Sequence, residues 1–281
     1  MSQVLGKKVD FVAIISVNKA NPNGDALNGN RPRTDFDGYG EISDVCIKRK
    51  IRNRMQDILP GTGNIFVQSE DRADDGAKSL HGRAKMIEKP KDADDFASKA
   101  CEKWADVRAF GQVFAFKGDS LSIGIRGPVS VHQAVSVCPV VIQSIQITKS
   151  VNGEDKETMS SDRMGMKHFV DHGLYVIKGS INVQLAEKTG FTEDDAELIK
   201  ECLRTLFVND SSSARPDGSM EVVELFWFKH NCKDGQYSSA KVHNSVKISL
   251  KEGVSYPTSV EDYEIRLEPL EGLEVERIPG M

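Results

Sequence analysis

The most regular apolar run is Val9–Val17, VDFVAIISV, where both faces of an extended segment are hydrophobic. A strand of that kind belongs in the middle of a sheet covered on both sides. A polar loop rich in Asn, Gly and Pro follows. Then comes Ser43–Leu59, in which Ile47, Ile51, Met55 and Ile58 recur at helical spacing. Ser43 or Asp44 can cap this helix, because a short oxygen side chain accepts an otherwise unpaired amide of the first turn. Pro60-Gly61 ends it. Residues 61–108 are polar and weakly periodic, which predicts an insertion of mostly solvated loop with a short helix near Ala93–Trp104. Leu121–Ile125 and Val140–Ile147 alternate as strands do. Residues 148–172 break the pattern. They hold a turn signal at Asn152-Gly153 and set Met159, Met164 and Met166 among polar neighbours. Leu174–Leu185 predicts a second long strand. Thr192 opens a helix with Leu198, Ile199, Cys202, Leu203 and Leu206 on one face, and Glu221–His230 and Val242–Leu250 predict further strands.

The order strand, helix, strands, strand, helix, strand predicts an α+β protein with a ferredoxin-like core, β-α-β-β-α-β, carrying large insertions. The same topology underlies RNA-recognition modules and many enzymes, so it assigns no function by itself. The aromatic RNP signature of an RNA-recognition motif is absent, and any RNA contact would use another surface.

Composition narrows the classes. The chain has 281 residues, 39% hydrophobic and 28% charged, as a soluble globular protein does. No apolar run approaches the roughly 18 residues of a membrane span, and MSQVLGKKVDF lacks the apolar stretch of a signal peptide, so a cytoplasmic location is expected. The five cysteines are far apart and never in a CxxC, which predicts reduced thiols and neither a disulfide frame nor a zinc site. The net charge of −5 is unevenly spread. From Glu261 onward there are seven acidic residues against two basic, whereas Asn18–Gln56 holds eight basic against five acidic. Local fields decide where a polyanion docks.

That basic stretch carries the candidate chemistry. Its loop offers the amides of Asn21 and Asn23, the charges of Arg31 and Arg33, and glycines that permit close backbone approach. Its helix offers Lys48, Arg49 and Arg52, with Lys48 and Arg52 four apart on one face. Amide donors followed by a cationic helix suit a phosphate chain. No GK[ST] follows the glycines, which excludes a P-loop. GxSxG, HExxH, SxxK and dinucleotide fingerprints are missing as well. Asp25, Asp35 and Asp37 are carboxylates of the loop, read as turn formers beside Gly and Asn. His168 and His172 lie four apart, but no third ligand is near, and neither metal nor cofactor is expected.

Several motifs together resemble a known family. NPNGD (Asn21–Asp25), RPRTDFDGYGEISDVCIKRKIR (Arg31–Arg52), DVRAFG (Asp106–Gly111), GMKHFVDHGLY (Gly165–Tyr175) and TGFTEDDAELI (Thr189–Ile199) resemble the backbone subunit of type I CRISPR interference complexes (Cascade), within the RAMP superfamily and most similar to subtype I-C. The resemblance implies a single palm over residues 1–281 built on a modified RNA-recognition fold, with a finger-like insertion at 61–108 and a thumb-like hairpin at 148–172. It implies copies polymerised head to tail along the CRISPR guide RNA, which they present for pairing with target DNA. Other Cascade subunits would sit at the filament ends and along its belly. By this resemblance Arg163, Met164, Met166, Lys167 and His168 belong to the thumb, with one of the two methionines wedged against a displaced base. The type I members hold RNA without cutting it, so no enzyme is expected. The alternative is a type III-like subunit that cleaves target RNA with a first-loop aspartate, here Asp25.

Overall fold

The computed structural model describes residues 3–88, 90–116, 122–148 and 164–281. The first strand, β1 (Val9–Ala20), is buried on both faces until Asn18 and Lys19, as its unbroken apolar run requires. A two-residue ladder, β2 (Gly24–Asp25) with β3 (Arg31–Pro32), shapes the loop after it, and β4 (Tyr39–Ile42) leads to α1 (Asp44–Ile58). Ser43 caps α1 by accepting the Cys46 N–H at 3.3 Å. Ile47, Ile51 and Met55 form the buried stripe, and burying an Ile of this kind stabilises the fold by about 1.5–3 kcal/mol.

Three helices follow: α2 (Leu80–Ala84), α3 (Ala93–Lys103) and α4 (Ala105–Phe110). After them come the hairpin β5 (Gly111–Phe114) with β6 (Ile123–Arg126), then β7 (Val129–Val131), β8 (Ala134–Pro139) and β9 (Ile142–Thr148). Leu121, the start of one expected strand, lies outside the described residues. The eighteen-residue β10 (Met164–Ile181) runs through the middle of the sheet. It ends four residues earlier than the pattern predicts, because Asn182 accepts the Leu185 N–H at 2.8 Å and starts α5 (Val183–Thr189). Then come α6 (Glu193–Arg204), β11 (Met220–Lys229), α7 (Ser239–His243), the hairpin β12 (Val246–Leu250) with β13 (Tyr263–Leu267), and β14 (Glu274–Pro279).

The main sheet runs β14-β11-β1-β10-β8-β4, with β7 and β9 also paired to β10. β1 is antiparallel to both β10 and β11, with Val9 opposite Ile181 and Lys229. The architecture is therefore mixed α+β around a central antiparallel sheet. The apolar stripes of α1 and α6 cover one face in one continuous core. On the other face Val12, Ile14, Leu174 and Phe226 pack with Val242 of α7 and Tyr263 of β13. Both faces of β1 are thus used.

One expectation about the insertion is overturned. Residues 61–108 are not mostly solvated loop. Phe66, Trp104 and Phe114 are buried in a separate small core with Cys101 and Val107, their rings 4.7–6.2 Å apart. The three aromatics are spread over almost fifty residues, so no local period announces them. Arg83 is buried there against Asp75 and donates to the Phe66 carbonyl at 2.8 Å. Among the described residues no helix is long and apolar enough to cross a membrane.

Candidate nucleic-acid interface

The first loop is built by its own asparagines. Asn21 is buried and donates its side-chain amide to the Asn30 carbonyl at 2.7 Å, while its backbone N–H bonds the Ala214 carbonyl at 2.9 Å. Asn23 accepts both the N–H and the hydroxyl of Ser43 at 2.9 Å, which fastens the loop to the start of α1. Both side chains, expected on phosphate, are occupied in holding the loop. Asp25 accepts the Leu27 N–H at 3.2 Å and faces Arg33 at 3.4 Å, the turn-forming work expected of it. Arg33 is exposed at the loop surface.

The basic arc of α1 is likewise turned inward. Arg52 donates to Asp106 at 2.8 Å and lies over the Phe110 ring, and the Asp106 carboxylate is fully buried. Asp106 also accepts the Phe66 N–H at 2.7 Å and the Val67 N–H at 3.1 Å. Arg49 donates to the Val67 carbonyl at 2.7 Å. Burial and the adjacent Arg52 charge lower the Arg49 guanidinium from its ordinary value. Lys48 pairs with Asp44 one turn back at 3.0 Å. Lys50 is buried against Asp210, and burial pulls its ammonium down while the Asp210 charge opposes the fall. Lys48, Arg49 and Arg52 were expected on RNA because they lie on the polar side of the helix. In the fold Arg49 and Arg52 face the insertion and hold it to α1. The same motif grips the second helix, since Arg108 makes a two-pronged bond to Asp195 of α6 at 2.6 and 2.8 Å. Asp195 in turn closes the capping box with Thr192. Gly111 completes DVRAFG with φ +76, and a Cβ there would lie 2.2 Å from the Ile125 carbonyl oxygen.

What remains outward is one strip, and it joins the two regions that the sequence singles out. Arg31 reaches from the first loop to Ser144 of β9 at 2.8 Å and lies 3.4 Å from the His168 ring. His168 is 2.8 Å from the same Ser144 hydroxyl. β9 and β10 pair in register from Thr148 opposite Met164 to Ile142 opposite Val170. Alternate residues of a strand share a face, and directly opposite residues share it too. One face of this ribbon therefore carries Met164, Met166 and His168 with Ser144, Gln146 and Thr148. Both methionines are more than half exposed, and Gln146 reaches the Met164 sulfur. Lys167 falls on the opposite face, beside exposed Ile145 and Ile147. The cluster expected at Arg163–His168 is thus divided by the pleat. Arg163, Met159 and the Asn152-Gly153 turn lie outside the described residues.

His168 and His172 stand on a strand, not a helix, roughly 13 Å apart along it at the usual rise. His172 is buried, and among the described residues no group of three His, Cys, Asp or Glu could hold a metal. Ser144 and Gln146 are the members of the strip that residue-by-residue reading misses. The alternation of the 142–148 strand was the available signal, but its partner was needed to reveal which face they join.

Comparison with known proteins decides the family. Residues 7–268 match the family described as CRISPR-associated protein Cas7. This chain belongs to the Cas7 family. A Cas7 protein of Haloferax volcanii is 25% identical over 223 residues, covering 70% of this chain and 63% of that protein, so the chain spans less than two thirds of the relative's length. A chain of the structure described as "CRISPR RNA-guided surveillance complex, pre-nicking" aligns with a TM-score of 0.53 at 17% identity, over 89% of this chain and 84% of the other. A chain of a second "CRISPR RNA-guided surveillance complex" aligns with a TM-score of 0.50 at 18% identity, over 88% and 78%. At such identities the likeness is one of fold. The Cas7 family match runs through the loop, the basic helix and the ribbon together.

Proposed function

We infer that this Cas7-family chain is the backbone subunit of a type I interference complex, of the I-C kind. It binds the CRISPR guide RNA, polymerises head to tail along it and presents it for pairing with target DNA, with other Cascade subunits at the ends and along the belly. The observation that carries this reading is the exposed strip from Arg31 through Ser144 and His168 to Met166 and Met164. A cation and hydrogen-bonding side chains suit a phosphate, and two polarizable thioethers a few residues away suit the flat face of a base. The order β11-β1-β10-β8 in the sheet, with α1 and α6 on one face, supports the ferredoxin-like, RNA-recognition palm. On that frame the small core around Trp104 is the finger-like insertion and the β9–β10 ribbon is the base of the thumb. Arg31 and Arg33 are the phosphate contacts of the loop, and Asn21 and Asn23 shape it. Backbone contact leaves sequence to be read by base pairing.

The chain is read as a holder of RNA and not as a nuclease, since Asp25 is engaged with Leu27 and Arg33. The test is light scattering after size exclusion on protein mixed with single-stranded RNAs of increasing length, with a gel of the same RNA. The expected result is a mass that rises by whole subunits while the RNA stays intact. One fixed mass at every length would overturn the filament, and shortened RNA that Asp25→Ala preserves would favour the type III-like alternative.

A further inference from the structure

The residues around Phe36 and a cavity at the far end of the sheet carry opposite charges. Thr34 pairs with Gly40, and between them the chain turns sharply. The Asp35 carboxylate accepts the N–H groups of Asp37 at 3.0 Å and Tyr39 at 2.8 Å, Gly38 takes φ +86, and the Gly38 carbonyl accepts the Val140 N–H at 2.9 Å. The tip is therefore fixed to itself and to the sheet. It holds the Phe36 ring entirely in solvent, beside the exposed carboxylate of Asp37, which has no ion pair among the described residues. Carboxylates on either side of the ring make this tip a poor neighbour for a phosphate chain and a good one for a cationic surface.

Such a surface lies at the other pole. Where β1 begins and β10 and β11 end, an open cavity of about 540 Å³ is lined by Lys8, Arg126, Leu185, Lys188, Lys233 and Asp234, among others. Lys8 is neutralised by Asp10 at 3.1 Å and Lys233 by Glu187. Arg126 and Lys188 are exposed and have no ion pair among the described residues; set against the one carboxylate of Asp234, which accepts from Gln184, they leave the cavity a net positive charge beside the apolar wall of Leu185. A guanidinium over an aromatic face is attractive, and more so once water is excluded.

We propose that the Asp35–Gly38 tip of one copy of this chain docks into the Arg126–Lys188 cavity of the next, Phe36 against Leu185 and Arg126, Asp37 against Lys188. The occupant is a second copy because the two patches are different, complementary and at opposite ends of the twelve-residue β1, roughly 35–40 Å apart along it at the usual strand rise. A contact between unlike patches forms no two-fold dimer, and wherever its rotation does not close a ring it propagates as an open filament. The proposal rests on the head-to-tail reading above and names the contact that would carry it.

The experiment compares a short RNA that accommodates one copy with a long RNA that accommodates several. Phe36→Ser, Asp37→Lys and Lys188→Glu are all exposed changes. Each is expected to leave binding to the short RNA unchanged while raising by about tenfold the protein concentration at which further copies add to the long one. Asp37→Lys combined with Lys188→Glu is expected to restore the wild-type value. If the wild type builds a ladder on long RNA and all three variants build the same ladder, the docking is wrong and the filament stands. If the wild type itself adds no second copy, the filament reading fails and the docking with it.

Discussion

Arg52 is the residue whose position in the fold most changes what it does. Read in sequence it is one of five cations on a helix. In the fold it is the partner of a carboxylate that has no access to water. Removing one member of a buried pair leaves the other charge uncompensated, at about 3–5 kcal/mol. Arg52→Ala is therefore expected to lower the urea midpoint sharply, while the fraction still folded binds RNA as the wild type does. Arg31→Ala is expected to behave in the opposite way. Stability should hold, and the slope of log K against log salt should flatten by about 0.7 for each phosphate that the protein no longer neutralises. His172 is a third kind of residue. Burial depresses its imidazole below the ordinary 6.5, against the pull of Asp262 and Asp171. The unfolded chain then binds a proton that the folded chain refuses, so stability is full above about pH 6.5 and falls as pH drops below it. His243 is shifted the same way, first by burial, and shares this window. His172→Leu is expected to flatten the profile of thermal midpoint against pH between about 6.5 and 5, and an unchanged profile would place the effect elsewhere. Asp10 works in a lower range. Burial raises its carboxyl, but bonds from His230 and Ser239 and the Lys8 charge outweigh burial and hold it below the usual 3.8, so its contribution is lost only in strong acid.

The elements divide into those that hold and those that present. α4 is only six residues long, yet Asp106 and Arg108 on it secure α1 and α6 respectively. The DVRAFG motif, which suggests the family when read as sequence, is therefore a clamp between the insertion and both α1 and α6. The cap of α1 is a second device of this kind. Asn23→Ala would free the Ser43 hydroxyl and the loop together, at a cost of about 1 kcal/mol typical of a damaged cap, read by thermal melting. The β9–β10 ribbon presents. Because its two faces differ, Met166→Ala and Lys167→Ala are neighbours in sequence with separate expected effects. The first, with Met164→Ala, should alter the chemical accessibility of bases along bound RNA more than total affinity, and the second should leave that pattern as it was. Identical footprints for both would remove the methionine face from the site.

Across the whole molecule, the parts that were legible in the sequence are those with a local period. Val9–Val17, Ser43–Leu59, the helix opened by Thr192 and the strand at Glu221–His230 announce themselves within a dozen or so residues each. The commitment of Arg52 and Lys50 does not, because their partners lie 54 and 160 residues away. The small core of Phe66, Trp104 and Phe114 is hidden for the same reason. The site was legible as two stretches, the first loop and the methionine segment, and illegible as one surface until Arg31 was seen to meet Ser144. β10 joins that surface to the centre of the protein without a break. Its inner part lies between β1 and the strands β7 and β8, while the outer six residues, Met164–Phe169, have β9 as their one ladder partner among the described residues. In mechanical terms it is a beam built into a wall at one end and loaded at the other. Amide exchange should slow steadily from Met164 toward Ile181, and the aim of the methionines should be set at the root. Gly173 stands there, where a Cβ would press on both Tyr175 and Val140 at 3.0 Å. A single methyl group at that point is expected to swing the free end of the beam and, if the ribbon holds RNA as proposed, to change the accessibility of the bases without touching the RNA.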